Sequence, residues 1–146
     1  MNTELRPITF DDWPILLSWR NHPDVRQNSF NTDIIDAESH KAYLNRLLSN
    51  HNILQNLLIV DDEPVATIRD EKVENGDHIL SYMINPDFIG KKLGQLIMFL
   101  HLYGKKGSFK CAIKSSNPAS IKVVERNGFT LQSADGGTLN YHRILS

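Results

Sequence analysis

The chain has 146 residues, with 16 basic and 17 acidic residues and a formal net charge of -1 at pH 7. This balance lacks the basic surplus that nucleic-acid binding requires, so the expected partner is a small molecule and no nucleic acid. A chain of this length can bury one hydrophobic core, which predicts a single domain over residues 1–146.

Cysteine content and apolar patterning bear on location. Cys111 is the only cysteine, so no intrachain disulfide can form, as is typical of proteins from a reducing cytoplasm. The longest apolar stretch, residues 93–103, is shorter than the roughly 20 residues that cross a bilayer. The N-terminus lacks the basic and apolar run of a secretory signal. We expect a cytoplasmic protein with no membrane span and no metal site, and a homodimer is compatible with the sequence.

The first third of the chain predicts one strand and two helices. Residues 4–10 alternate polar and apolar around a proline, which indicates a strand at the edge of a sheet. Asp11 is the expected N-cap of a short helix that ends near Asn21. Residues 22–35 lack periodicity and are predicted to form a loop that faces the substrate. Asp36 then caps a second helix.

The rest of the chain changes from hairpin strands to alternating strands and helices. Short turns rich in acids, glycine, asparagine and proline separate its first strands, which are therefore expected to be antiparallel. Gly128 stands where a left-handed cap would end the last helix. The predicted order is β-α-α-β-β-β-α-β-α-β-β, an α/β (α+β) chain. The predicted elements are strands 56–61, 65–71 and 78–84, a loop at 85–92, helix 93–105, strand 108–114, helix 118–127 and strands 129–132 and 138–145.

A glycine-bounded loop precedes the apolar helix and is the first candidate for chemistry. Its backbone N–H groups and the helix dipole can face an anion together, and two lysines add positive charge. The same pattern also describes a plain turn with two solvated lysines, and spacing alone favours neither. A P-loop requires Gly-Lys-Ser/Thr, and a dinucleotide fingerprint requires a third glycine where Ile97 stands, so both are excluded. The candidate anion-binding residues are Ile89, Gly90, Lys91, Lys92, Leu93 and Gly94.

Two longer segments carry a resemblance to a known family. Residues 81–94, SYMINPDFIGKKLG, resemble the fourth strand and acyl-CoA loop of the GNAT acetyltransferase superfamily. Residues 116–129, SNPASIKVVERNGF, resemble its second signature, in which an asparagine opens a helix that ends in Gly-Phe. With the start at residues 5–12, the similarity spans nearly the whole chain.

The resemblance implies a fold, a donor and a set of roles. The implied fold is a mixed, mostly antiparallel sheet that is splayed between strands 4 and 5 and flanked by helices. Acetyl-CoA would be the donor, with its diphosphate on the loop described above. Backbone groups near Met83 and Ile84 would pair with the pantetheine and polarise the thioester carbonyl, and Asn117 would lie across the cleft. A neutral amine would attack the thioester directly.

Three positions depart from the family pattern. Ile89 stands where the family usually has glutamine or arginine, and Lys92 replaces a glycine. A lysine there still presents its backbone N–H if its φ is negative, so altered affinity is expected rather than loss of the site. Val124 stands where many relatives carry the tyrosine that protonates the leaving thiolate. Tyr82, Tyr141 or solvent would have to supply that proton.

The sequence also does not decide which group is the general base. His78 is the one side chain on the fourth strand with an ordinary pKa near neutrality, and it shares a strand face with Tyr82. The pattern fits an exposed residue after a turn better than a base, and a water chain can also serve in its place. The candidate catalytic residues are therefore His78, Tyr82 and Asn117.

The acceptor is suggested by the first two helices. Residues 19–30, WRNHPDVRQNSF, and the later His40 resemble nucleotide-sugar N-acetyltransferases of bacterial surface-polysaccharide pathways, such as those for pseudaminic acid. Arg20 and Arg26 would then clamp the diphosphate of a nucleotide-linked amino sugar, although each can equally be a surface arginine paired with an acid. The candidate acceptor-binding residues are Arg20, Asn21, Arg26 and His40.

Two other functions stay open at this point. Ribosomal-protein and peptide N-terminal acetyltransferases share the Tyr-x-Ile-x-Pro strand end, and Asp33, Asp36 and Glu38 in the first helix-loop-helix segment are compatible with a basic peptide. A non-catalytic acyl-CoA-binding module is the alternative of another class, because the departures at Ile89, Lys92 and Val124 would weaken an enzyme.

Overall fold

The computed structural model describes residues 2–146 as one seven-stranded sheet flanked by helices. The strands run in the spatial order β1-β2-β3-β4-β5-β7-β6. Short 3-10 turns at Phe10–Asp12 and Pro86–Phe88 precede α1 and follow β4. The strands are β1 (Thr3–Pro7), β2 (Ile53–Val60), β3 (Glu63–Lys72), β4 (His78–Ile84), β5 (Gly107–Lys114), β6 (Thr130–Asp135) and β7 (Thr138–Leu145). The helices are α1 (Trp13–Asn21), α2 (Pro23–Arg26), α3 (Ala37–Ser49), α4 (Leu93–Leu102) and α5 (Pro118–Arg126).

The sheet opens between β4 and β5. All other neighbouring strands are antiparallel, whereas β4 and β5 are parallel and pair only at His78 with Phe109 and at Ile79 with Lys110. Beyond this closed end the two strands part. The mixed, splayed sheet implied by the family resemblance is thus confirmed, and β1 lies at an edge as its proline indicated.

Two apolar clusters cover the two faces of the sheet. On one face, α4 and α5 pack against β3, β4 and β5, with fully buried Ile68, Ile97 and Phe109 at the centre. On the other face, α1 and α3 cover β2 with Trp19, Leu44 and other apolar side chains. Successive side chains of a strand point to opposite faces of the sheet, and this alternation decides which side chains can reach each half of the opening.

The largest departure from the sequence-based prediction is α2, a single helical turn inside the expected loop of residues 22–35. Pro23 occupies its first position, where a proline costs no hydrogen bond, and His22 Nδ1 accepts from the N–H of Asp24 at 3.1 Å. One turn has no hydrophobic periodicity, so the pattern gave no sign of it.

The cap of α1 also differs from the prediction. Asp12, not Asp11, precedes the helix, and its carboxylate accepts from Arg6 at 2.9 and 3.0 Å and from the N–H of Thr9 at 2.7 Å. These contacts tie β1 to the start of α1, and the hydrogen bond from Arg6 holds the pKa of Asp12 below its usual value. Asp36 caps α3 as predicted, since its Oδ1 accepts from the N–H of Ser39 at 2.7 Å.

Two observations concern features that residues 2–146 lack. None of their helices is both long and apolar enough for a bilayer. No three of their His, Cys, Asp or Glu side chains are grouped in a way that would hold a metal ion.

Candidate active site

A cavity of about 980 Å³ lies where β4 and β5 part. One half, the donor half, is bounded by the start of α4 and by α5. The other half, the acceptor half, is bounded by α1, α3 and the segment between them. A ligand in each half would meet at the parted strands, which is the geometry that a transfer between two bound molecules needs.

The loop before α4 borders the donor half. Ile89, Gly90, Lys92, Leu93 and Gly94 line the cavity. A Cβ at Gly94 would lie 3.0 Å from Val123 Cγ2 and 3.1 Å from the ring of Tyr82, so only glycine lets the first turn of α4 approach α5 this closely. The unpaired N–H groups of that turn are therefore directed at the cavity.

Lys91 and Lys92 differ from their sequence-based description. Lys91 does not line the cavity, and its Nζ lies 5.8 Å from the ring centroid of Phe88. Lys92 has φ +61°, in the left-handed region, and forms the N-cap of α4. The condition of a negative φ at Lys92 is therefore not met, because the chain here makes a left-handed turn, a conformation that glycine adopts most readily.

The free edge of β4 borders the parted strands. Met83 and Ile84 line the cavity, and both pair with β3 on the side away from β5. No pairing with β5 continues past Ile79, so the backbone groups of β4 that point towards β5 are open to a ligand. An extended amide-containing chain is the kind of ligand that such an edge accepts.

A chain of hydrogen bonds crosses the donor half beside this edge. The hydroxyl of Tyr82 lies 2.6 Å from Ser120 Oγ, and Asn117 Nδ2 donates to the same oxygen at 3.0 Å. Burial raises the pKa of Tyr82 to about 12, so the phenol keeps its proton at neutral pH. All three residues line the cavity. The hydroxyls of Ser120 and Tyr82 can pass a proton to a group bound there, and the Asn117 amide holds the Ser120 oxygen in place.

Ser120 was missed by the sequence reasoning. Its backbone N–H donates to Asn117 Oδ1 at 3.3 Å, as expected for the third residue after an N-cap. The Asn-x-x-Ser spacing could have pointed to it. Only the approach of β4 to α5 shows that its hydroxyl also meets Tyr82.

The other candidate groups for proton transfer lie outside the cavity or are chemically unsuited to that task. Tyr141 donates to Glu125 Oε2 at 3.2 Å and does not line this cavity. Val124 is fully buried in the core. Cys111 lines the cavity, but burial raises the pKa of its thiol to about 12, so the thiolate is not available.

His78 lies at the closed end of the sheet and not in the cavity lining. Its Nδ1 lies 2.7 Å from Asp70 Oδ1, and the buried His101 contacts the other oxygen of Asp70, also at 2.7 Å. Its ring stacks on Phe109 with centroids 4.7 Å apart. His78 therefore lies apart from the cavity, and its role as the general base stays a prediction.

The acceptor half contains three buried nitrogen atoms without hydrogen-bond partners. They are Arg20 Nη1, His40 Nε2 and Arg69 Nε, and all three residues line the cavity. Burial lowers the pKa of His40 against a hydrogen bond with the backbone of Trp13, so its ring is neutral at pH 7. Unsatisfied buried donors such as Arg20 Nη1 and Arg69 Nε are costly in an empty site and are used when a ligand accepts from them.

Arg69 was not anticipated from the sequence. It points to the acceptor half because its neighbour Asp70 faces α4, and adjacent residues of a strand face opposite sides. Its Nη2 lies 3.2 Å from Glu71 Oε1, and its Nε stays free. The register of β3 in the sheet, which the sequence did not fix, determines this placement.

Two predicted acceptor residues shape the segment around the cavity instead. Asn21 donates to the carbonyl of Ile35 at 2.8 Å and accepts from its N–H at 2.9 Å, which closes the base of the segment between α1 and α3. Arg26 Nε donates to the carbonyl of Thr32 at 3.0 Å. Neither Asn21 nor Arg26 lines the cavity, in contrast to Arg20 and His40.

The parted sheet above the start of a helix defines a class of protein, the N-acyltransferases that take their acyl group from acyl-CoA. The chain belongs to the family described as "Acetyltransferase (GNAT) domain", which matches residues 2–130. It is accordingly an acetyl-CoA-dependent N-acetyltransferase.

Comparisons with individual proteins agree with this family. The chain is 25% identical over 128 residues to Acetyltransferase PseH of Campylobacter jejuni, covering 83% of this chain and 78% of the relative. The structure of the ribosomal L7/L12 alpha-N-protein acetyltransferase RimL with coenzyme A is similar with a TM-score of 0.81 at 20% identity, covering 99% and 95% of the two chains. Spermidine N-acetyltransferase from Vibrio cholerae reaches a TM-score of 0.86 at 10% identity, covering 98% and 95%. At these identities, the two structures bear on the fold alone.

Proposed function

We propose that the chain transfers the acetyl group of acetyl-CoA to the primary amine of a nucleotide-linked amino sugar used for surface polysaccharide or glycan synthesis. The main observation in support is that the guanidinium groups of Arg20 and Arg69 each have a buried nitrogen without a hydrogen-bond partner in the acceptor half. A planar guanidinium matches a phosphate group, so two of them suit the diphosphate of a nucleotide sugar. The resemblance of residues 19–30 to nucleotide-sugar N-acetyltransferases supports the same acceptor.

Charge in the acceptor half favours this acceptor over a cationic one. Asp24 is the one carboxylate among the residues that line the cavity within residues 2–146. Asp33, Asp36 and Glu38, which suggested a basic peptide, are not in the lining. A polyamine or basic peptide would meet the guanidinium groups of Arg20 and Arg69 here, and like charges at close range are unfavourable.

The donor half supports catalysis rather than simple binding of acyl-CoA. The loop at residues 89–94 would hold the diphosphate, and the free edge of β4 at Met83 and Ile84 would hold the pantetheine. Amine attack on the thioester carbon breaks the C–S bond and leaves a thiolate. Ser120 would give its proton to that sulfur and take one from Tyr82, and the proton released by the attacking amine would return through solvent to the Tyr82 phenol, so that the enzyme ends in its starting protonation state.

The acceptor assignment is tested by thiol release from acetyl-CoA with UDP- and dTDP-amino sugars, spermidine and peptide amines as acceptors. Replacing Arg69 with Gln should raise KM for the reactive nucleotide sugar about 10- to 100-fold, because one charge-assisted contact is lost, with KM for acetyl-CoA unchanged. Arg46→Gln, at an exposed arginine of α3 outside the cavity lining, is the matched control and should leave both constants near the wild-type values. Acetylation of peptides or polyamines alone would contradict the proposal.

Location and assembly are the remaining parts of the proposal. A reaction fed by acetyl-CoA in a chain with one buried cysteine fits the cytoplasm. The homodimer stays a prediction.

A further inference from the structure

Two cations on α5 border the donor half and have no role in the site described above. Lys122 and Arg126 are four residues apart, so they lie on the same side of the helix, and both line the cavity. Both side chains are exposed, and among residues 2–146 neither forms a salt bridge. The nearest acid in sequence, Glu125, is instead occupied by the hydroxyl of Tyr141.

The packing of α5 places these cations near the diphosphate loop. Val123, which follows Lys122, is the residue whose Cγ2 lies 3.0 Å from the Cβ position of Gly94. Asn127, which follows Arg126, donates its Nδ2 to the carbonyl of Gln95 at 3.4 Å. The last turns of α5 therefore run beside the first turn of α4, and Lys122 and Arg126 flank the site of the diphosphate.

The donor carries more negative charge than the diphosphate loop can bind. Coenzyme A has a diphosphate and, across one ribose ring from it, a dianionic 3′-phosphate. We propose that Lys122 and Arg126 form a second anion subsite that binds the ribose 3′-phosphate of the donor. The subsite selects coenzyme A over donors that lack this phosphate, and it depends on the use of acetyl-CoA but not on the identity of the acceptor.

The test compares calorimetric affinities for coenzyme A and 3′-dephospho-coenzyme A, which share the diphosphate and pantetheine. The wild type should bind coenzyme A about tenfold more tightly, with a larger ratio at low salt, because exposed ionic contacts are screened. In Lys122→Gln/Arg126→Gln the ratio should fall to within about twofold of unity, through loss of affinity for coenzyme A alone. Lys106→Gln, an exposed lysine outside the cavity lining, is the control and should keep the wild-type ratio.

Three results would overturn the subsite. They are equal affinities of the wild type for the two ligands, a preference that persists in the double variant, and an equal loss of affinity for both ligands in that variant. The last result would mean that the two cations bind the diphosphate or stabilise α5, and do not recognise the 3′-phosphate. No acceptor enters the experiment, so its failure is distinguishable from failure of the nucleotide-sugar proposal.

Discussion

Tyr82 and Ser120 show how a missing side chain can be replaced by its neighbours. The family tyrosine that protonates the thiolate is absent, since Val124 stands there and is fully buried. Tyr82 reaches the same region from β4, and its hydroxyl contacts Ser120 at 2.6 Å, one helical turn before Val124. A buried phenol with a raised pKa is a reservoir for a proton and not a nucleophile.

Removing either hydroxyl should therefore slow the chemical step. In Tyr82→Phe and in Ser120→Ala, kcat should fall about 10- to 100-fold with little change in affinity for acetyl-CoA, because proton transfer to sulfur is lost. The double variant should be little slower than either single variant, since the two groups act as one unit. Steady-state rates and calorimetry measure this, and a kcat within twofold of wild type would contradict the role.

At the scale of elements, the start of α5 has two tasks. Asn117 caps the helix through Oδ1, which accepts from the N–H of Ser120, and positions the Ser120 hydroxyl through Nδ2. A cap contributes about 1 kcal/mol to stability, whereas the amide donor acts on the hydroxyl. The two tasks belong to different atoms of one side chain and can be separated by substitution.

Asn117→Asp keeps a capping oxygen and loses the amide donor. We expect the free energy of unfolding to stay near the wild-type value while kcat falls. Asn117→Ala removes both and should also lower stability by about 1 kcal/mol. Urea unfolding and rate measurements on the two variants separate the effects, and an unchanged kcat in Asn117→Asp would limit the side chain to capping.

Across the whole molecule, the open cavity depends on a firmly closed opposite end of the sheet. Asp70 of β3 joins His78 of β4 and His101 of α4 at the end where β4 and β5 still pair. Burial would raise the pKa of Asp70, but the hydrogen bonds from His101 and His78 outweigh it and hold the pKa below its ordinary value. This cluster links three elements and lies outside the cavity lining.

The cluster should contribute to stability in a pH-dependent way. Because the folded pKa of Asp70 is lower than the unfolded one, its contribution is complete above the unfolded pKa near 4 and is lost as the pH falls through the folded value. Asp70→Asn should lower the free energy of unfolding at pH 7 by about 3 kcal/mol and flatten its decline in acid. Denaturant unfolding from pH 7 to pH 3 tests this. A free energy of unfolding that declines as steeply in acid for Asp70→Asn as for the wild type would contradict it.

Apart from the single-turn helix α2, the amino-acid pattern determined the elements and their order. The span of β4 agrees with the prediction, and the caps at Asp36 and Gly128 and the hairpin strands appear where local chemistry placed them. These features depend on neighbours within a few residues, which a sequence displays directly. The family segments added the splayed sheet and the donor, because their spacing reflects the same fold.

Tertiary structure decided which side chains meet. His78 lies at the closed end of the sheet and outside the cavity, whereas the register of β3 places Arg69 in the cavity lining. Lys92 was misjudged because the conformation of one turn residue depends on how α4 must start against α5. Contacts between residues far apart in the chain arise from packing, register and burial, and no local pattern encodes them.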